Sequence, residues 1–355
     1  MPADFAYLNA VGTAVPRHDV HDAFIAWASG RVEDRARPLF ARRAARAGIA
    51  HRWSVLPGVD GASAVESGGF YADAMPGTAA RMAVYAQEAP ALALAAIAAL
   101  DEQVALDGIT HLVVASCTGF VAPGIDQIIA ARLGLSAGVE RLLIGFMGCY
   151  AAIVALRSAR HIVRSDPAAR VLVVTVELSS LHLQDERAVE PLLAMLQFGD
   201  GAAAALVTGE ARGMALGQPF AASLPDSAAL IRWTITDTGF AMHLDGAVPG
   251  RIGTALAEPA FVAAVTGGAA PADLFWAVHA GGRSILDAVQ AALALPADAL
   301  APSRAVLADN GNMSSATLMF VLARLLADPP AARAGVALAF GPGLAAEGLA
   351  LQFAA

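Results

Sequence analysis

The chain has 355 residues, 57% of them apolar, and a formal net charge of −8 at neutral pH. A chain of that size and composition buries a sizeable core and reads as one large globular unit or two ordinary domains. The acidic balance argues against nucleic acid as a partner, and apart from histidine every basic residue is arginine, since the sequence contains no lysine.

The N-terminal stretch MPADFAYLNA carries an acid and no basic region ahead of an apolar run, so no signal peptide is expected. Residues 30–53, GRVEDRARPLFARRAARAGIAHRW, gather Arg31, Arg35, Arg37, Arg42, Arg43, Arg46 and Arg52 in an otherwise acidic protein. Arg42 and Arg46 lie one helical turn apart, which lets their guanidinium groups converge on a phosphate. A solvated helix face with Glu33 and Asp34 as partners fits the same run. The apolar runs 91–100 and 142–156 fall short of the ~18 residues of a membrane span, so no transmembrane segment is expected. Cys117 and Cys149 are the only cysteines. With at most one bridge available, a reducing compartment is expected, and with it a cytoplasmic location.

From residue 111 onward, strand-like and helix-like runs alternate. HLVVAS (111–116) reads as a strand, DQIIAARLGL as a helix, RLLIGF (141–146) as a strand, the stretch from Cys149 to Val163 as a helix, and RVLVVTVEL (170–178) as a strand. That alternation predicts an α/β architecture with mostly parallel strands covered on both faces. The second half then repeats the order of the first. DLFWAVHAGGRSILDAVQAALAL (273–295) follows the pattern of THLVVASCTGFVAPGIDQIIAARLGL (110–135), and RAVLADNGNMSSATLMFVLARLL (304–326) that of RLLIGFMGCYAAIVALRSARHIV (141–163). FGDGAAAALV (198–207) and FGPGLAAEGLAL (340–351) both read as a glycine turn feeding a strand. Three matched pairs in one order indicate an internal duplication, with halves at 1–212 and 213–355. Each half brings a strand-to-helix junction to the middle of the molecule, with Cys149 on one and His279 and Asn312 on the other.

Free cysteine is among the most buried residue types, so Cys149 fits a core role. The glycine before it and the helix beginning directly after it fit a nucleophile turn as well, where unpaired N–H groups and the helix dipole favour a thiolate. Of the eight histidines, His18, His21, His51, His111 and His161 stand in polar or basic stretches and read as surface groups. His182 and His243 are candidates to line a pocket. His279 ends the apolar run LFWAVH and is followed by Ala-Gly-Gly, which leaves room for a ligand. Asn312, in DNGNMSSATLMF, fits a turn or an N-cap, or else an amide donor to a developing oxyanion. Together, cysteine, histidine and asparagine form a constellation for acyl transfer through a thioester.

These segments resemble the thiolase-fold condensing enzymes, and among them the type III polyketide synthases, the chalcone synthase family. GFMGCYAAIVALRSARHI is similar to that family's nucleophile segment, VHAGGRSILDAV to its His-Pro-Gly-Gly segment, GNMSSA to its asparagine motif and FGPGL to its C-terminal glycine loop. The likeness runs over roughly residues 30 to 353, with Ala280 standing where the family usually has proline. The resemblance implies a five-layered αβαβα fold built from two duplicated halves, a homodimer, and no metal or redox cofactor. It implies that Cys149 takes an acyl group from its CoA thioester, and that His279 and Asn312 hold the carbonyl of malonyl-CoA during decarboxylation. Phe198 matches an aromatic gate beside the cysteine, and Met242 stands where the family has a second gate phenylalanine. Arg42 and Arg46 fall on the CoA-phosphate positions, and Cys117, Thr118, Ala122, Ser179, Leu181 and His182 on positions that line the cavity.

WTITDTGF (233–240) is similar to bacterial members, and Ala122 with Thr118 to relatives that admit long acyl chains. An aliphatic acyl-CoA starter extended to an alkylpyrone or alkylresorcinol is therefore expected. Three readings compete. A β-ketoacyl-carrier-protein synthase III shares the constellation. A catalytically silent binding protein would keep the fold alone. A thiolase would need a second cysteine near the C-terminus, where this chain has none.

Overall fold

The structure, a computed structural model, describes residues 6–57 and 63–354. Nine strands form its main sheet: β1 (Ala6–Ala14), β2 (His111–Ser116), β3 (Glu140–Gly145), β4 (Val171–Leu178), β5 (Asp200–Thr208), β6 (Met214–Ser223), β7 (Phe275–Val278), β8 (Ala334–Gly341) and β9 (Ala345–Phe353). Their order is β7-β8-β9-β6-β1-β5-β4-β2-β3.

The duplication is visible in how these strands pair. β2 is parallel to β4, which is antiparallel to β5, which is antiparallel to β1. In the second half β7 is parallel to β8, β8 antiparallel to β9, and β9 antiparallel to β6. The halves join edge to edge where Ala6, Tyr7 and Leu8 pair with Leu216, Ala215 and Met214. One strand has no counterpart: RAVLADN lies in a helix, Ala301–Asn310, where the first half has β3. The second half of the sheet is therefore one strand narrower.

The apolar runs of the strands are continuous because each strand is buried on both faces. Val113, Ala115, Val171, Val173, Ala337 and Ala339 face a central core shared by both halves. Their neighbours Leu112, Val114, Leu172 and Val174 face a second core, and Val336 and Leu338 a third. Two helices fill the central layer, α3 (Ala151–Ser165) and α5 (Ser315–Ala327). In α3, Ala152, Ala155, Leu156, Ala159 and Val163 recur at helical spacing and are fully buried. The outer layers hold α1 (Arg37–Ala45) and α2 (Thr78–Asp101) on one side and α4 (Arg283–Ala292) on the other. This gives the α-β-α-β-α layering.

The apolar run 91–100 belongs to α2, whose 24 residues make it long and apolar enough to cross a membrane by length and composition. Here it lies on the sheet through Tyr85, Ala89, Leu92, Ala93, Ala96, Ile97 and Leu100. Contact is so close that a Cβ on Gly12 would come within 2.2 Å of the backbone nitrogen of Leu100. Truncating Leu156, fully buried in α3, to alanine is expected to cost about 2–5 kcal/mol of stability, read from the urea midpoint at unchanged m-value.

Candidate active site

Cys149 stands where the chain leaves β3 and enters the central layer. Gly148 has φ +72°, a left-handed conformation suited to glycine, and a short 3-10 turn, Gly148–Tyr150, feeds α3. A Cβ on Gly148 would meet Pro342 Cδ at 2.6 Å, and one on Gly341 would meet Tyr150 Cδ1 at 2.7 Å. The FGPGL loop thus clamps the nucleophile turn, and glycine at both positions is what permits the approach. Burial pushes the Cys149 thiol up to about 11, against hydrogen bonds from Ser314 and Asn312 that favour the thiolate.

His279 ends β7, its N–H donating to Leu338 O at 2.8 Å. Its side chain is buried, and neither ring nitrogen has a hydrogen-bond partner among the described residues. Burial pushes it down to about 3, so the imidazole is neutral at physiological pH. A buried ring with both nitrogens free is a donor and an acceptor held for something that enters the site.

Asn312 is pinned through its backbone: its N–H donates to Gln197 O at 2.7 Å, and its carbonyl accepts from Gly199 N at 3.0 Å. These bonds make a one-residue parallel bridge between Asn312 and Phe198. In the side chain, Oδ1 accepts from Ser314 N at 2.8 Å, while Nδ2 donates to Gly281 O at 3.2 Å. The second Nδ2 hydrogen is within reach of the Cys149 thiol, so a ligand oxygen entering beside the sulfur can take it over. Gly281 lies two residues beyond His279, so this bond also sets the amide against the turn that carries the imidazole.

Behind the thiol lies a polar cluster built on Glu177, which is fully buried. It accepts from Cys117 N at 3.0 Å, Thr118 Oγ1 at 2.9 Å and Ser315 Oγ at 2.5 Å. Burial pushes its carboxyl above the usual range, against those donors. Ser314, at φ +47°, a strained value for a residue with a side chain, places its Oγ 3.3 Å from Cys117 Sγ and within hydrogen-bond reach of Cys149. Cys117 and Thr118 therefore serve this cluster.

Two cavities lie beside the Gln197–Phe198 segment, where the resemblance puts a gate. One, enclosing about 910 Å3 including its open mouth, is lined by apolar groups such as Val20, Phe24, Leu56, Leu183 and Met195, and reaches Ser179, His182, Phe198 and Met242. Trp233 also lines it. His182 is fixed there as one tautomer, Nε2–H donating to Thr118 O at 2.6 Å and Nδ1 accepting from Phe240 N at 3.0 Å. The other cavity is lined by Arg43, Arg46, Arg283, Ser284 and Asp287, and leads to Gln197, the residue before the gate.

Several placements differ from the sequence reading. Arg46 lines the basic cavity, whereas Arg42 is exposed and its neighbour Arg43 occupies the wall. Cys117, Thr118, Ala122 and Leu181 are not on the wall of the apolar cavity, and Ala122 is exposed. His243 is exposed as well, so of the two intermediate histidines only His182 lines a pocket. His21, read as a surface group, is buried with Nδ1 accepting from Arg52 Nε, because the arginine run folds inward at its end. Glu177 and Arg283 did not stand out in the sequence. A lone carboxylate in the apolar strand VLVVTVEL, and an arginine opening a helix after two glycines, were the available signals.

Comparison with known proteins agrees with this geometry. The family model for the N-terminal domain of chalcone and stilbene synthases matches residues 3–211, and that for the C-terminal domain matches residues 217–354. The bisdemethoxycurcumin synthase of Oryza sativa is 37% identical over 299 residues, covering 78% of this chain and 74% of that one. A mycobacterial relative from Mycobacterium tuberculosis, the alpha-pyrone synthesis polyketide synthase-like Pks18, is 36% identical over 67% of this chain and 63% of its own length. Among solved structures, the C-terminal type III polyketide synthase domain of Steely1 from Dictyostelium superposes with a TM-score of 0.90 at 25% identity, covering 99% of this chain and 100% of that one. A polyketide synthase of the brown alga Ectocarpus siliculosus gives 0.88 at 27% identity, covering 98% of each chain. The chain belongs to the chalcone and stilbene synthase family. It is a type III polyketide synthase, an acyltransferase that works on CoA thioesters, and acyl-CoA and malonyl-CoA are the substrates of its family.

Because His182 is held neutral, pushed down to about 4 by burial, the unfolded chain binds a proton there that the folded protein refuses between pH 6.5 and 4. This histidine contributes stability that is present above pH 6.5 and lost as pH falls toward 4. His182→Gln is expected to lower the proton uptake on unfolding in that window by about one, measured by urea denaturation at several pH values.

Proposed function

We propose that this synthase loads an aliphatic acyl group from its CoA thioester onto Cys149, extends it with malonyl-CoA, and releases an alkylpyrone or alkylresorcinol. The observation that carries the mechanism is the buried His279 ring, both nitrogens without a partner among the described residues, together with an Asn312 amide whose second hydrogen is directed to the Cys149 thiol. Cys149 Sγ attacks the acyl carbonyl and coenzyme A leaves as its thiol, the sulfur's proton passing to the leaving group. Malonyl-CoA then enters with its thioester oxygen between His279 Nε2–H and Asn312 Nδ2–H. Loss of CO2 leaves an electron pair on the α-carbon, and its enolate oxygen is held by these two donors. The α-carbon attacks the Cys149 thioester, the new C–C bond forms as the C–S bond breaks, and Cys149 leaves as a thiolate that regains, through solvent after product departure, the proton given to coenzyme A at loading. A neutral imidazole suits a donor role better than a cation would, since it does not protonate the enolate carbon. Exclusion of water from the buried site protects the enolate as well. The sequence of steps balances with CoA thioesters alone and calls for no metal or redox group.

The basic cavity with Arg46 fits the CoA phosphates, and Arg43 and Arg283 stand beside it to share the charge. The apolar cavity beyond Phe198 fits an alkyl chain, and this supports the aliphatic starter and the α-pyrone class named for the mycobacterial relative. Two free buried cysteines fit the cytoplasm.

We further propose a homodimer through β3. This edge strand has one neighbour, β2, and exposes Leu142 and Leu143, with Phe146 and Phe120 beside them. An unpaired apolar edge is completed by a second copy of itself across a two-fold axis. Leu143→Glu is expected to give a monomer in size-exclusion chromatography with light scattering.

Asn312→Ala is expected to lower malonyl-dependent turnover by about 10²–10³, and Cys149→Ala to abolish acyl loading seen by intact-protein mass spectrometry. The substrate reading is tested by product mass spectrometry over a panel of acyl-CoA starters. Products from aromatic or malonyl starters alone would overturn the aliphatic assignment.

A further inference from the structure

Arg52 closes the arginine-rich run, yet it behaves unlike its neighbours. Its side chain is 3% exposed, whereas Arg35, Arg42, Arg43 and Arg46 are exposed. Nε donates to His21 Nδ1 at 3.1 Å, and Nη1 donates to Met195 O at 3.2 Å and Phe198 O at 2.8 Å. The guanidinium carbon lies 4.6 Å from the centre of the Phe24 ring. Nη2 is buried and has no hydrogen-bond partner among the described residues. The acids that act on Arg52 have their oxygens engaged elsewhere. Asp19 accepts from His51 and from the backbone of His21 and Arg52, and Asp200 from Ser180 and the backbone of Val55. Burial pushes Arg52 down only to about 10, so it keeps its charge at neutral pH.

Arg52, Phe24, Met195 and Phe198 all line the apolar cavity. Ser179, which also lines it, has a buried Oγ without a partner among the described residues. A cationic donor group left unpaired beside an apolar chamber is costly unless the occupant of the chamber supplies an acceptor.

We propose that Arg52 Nη2 donates a hydrogen bond to a ketone oxygen of the acyl chain held in the cavity, so that the chamber favours oxo-bearing chains over saturated ones. This rests on the condensing reading above. A saturated starter brings no oxygen to that position, and each malonyl extension adds one ketone. The contact thus favours an already extended intermediate for a further round and sets how many rounds precede release. Arg52 also holds the Met195 and Phe198 carbonyls, so the same side chain positions the gate and reads the chain beyond it.

The test compares saturated, 3-oxo and 5-oxo acyl-CoA thioesters of equal carbon number as starters for malonyl extension by the wild-type protein. At least one oxo chain is expected to exceed the saturated chain in kcat/KM by about tenfold, the range of a hydrogen bond to a charged donor. In Arg52→Lys, which keeps the charge and loses Nη2, that ratio is expected to fall to near one. A purely structural role would lower all three chains together and leave the ratio intact. Equal use of the three chains by the wild-type protein, or an oxo preference that survives in Arg52→Lys, overturns the proposal. Failure of the condensing reading looks different: no chain would give a malonyl-dependent product.

Discussion

The arrangement of the site depends on one small contact between the halves, the two backbone hydrogen bonds that tie Asn312 to Gln197 and Gly199. Through them the turn before α5 is locked to the loop before β5. The Asn312 amide, the Phe198 ring and the Gln197 carbonyl cannot then move independently. Glycines at the seam make the approach possible: a Cβ on Gly311 would lie 2.8 Å from Gln197 O, and one on Gly199 2.9 Å from Asn310 O. Backbone bonds between buried strands are strong constraints because neither partner has water as an alternative. Displacing this bridge would shift the gate, the amide and the Arg52 donor together.

Around that seam the protein separates two solvent regimes. On one side the basic cavity with Arg43, Arg46 and Arg283 presents charge suited to a hydrated, phosphorylated carrier. On the other, the apolar cavity offers side chains suited to the acyl part of the same substrate. Cys149 and His279 are both buried and both neutral for the same reason, loss of water around the charged form. Any charge that arises at either has only fixed donors, not water, to meet it.

Much of the site was legible in the chain because the chemistry is written in short segments. GCYAAI, VHAGG and GNMSSA each place one polar residue at the mouth of an apolar element, and the duplication said they would meet in the middle. The paired strand patterns of the two halves follow that reading closely, apart from the RAVLADN stretch, which is helical. A run of that composition suits either state, and burial beside a narrower sheet edge decides between them. Legibility failed for residues whose role comes from neighbours distant in sequence. Arg42 and Arg46 look equivalent at helical spacing, but only Arg46 turns toward the cavity formed with Arg283, 237 residues away along the chain. Ala122 and His243 carry no local sign that they lie outside the chamber.

The sequence by itself determined the α/β alternation, the duplicated halves and the identity of the three polar residues at the junctions, because periodicity and local turn chemistry are properties of short stretches. Tertiary structure alone decided which groups are left unpaired. That the nitrogens of His279 and Nη2 of Arg52 have no partner among the described residues can be known only after every other donor and acceptor in their surroundings has found its own. That accounting depends on long-range packing.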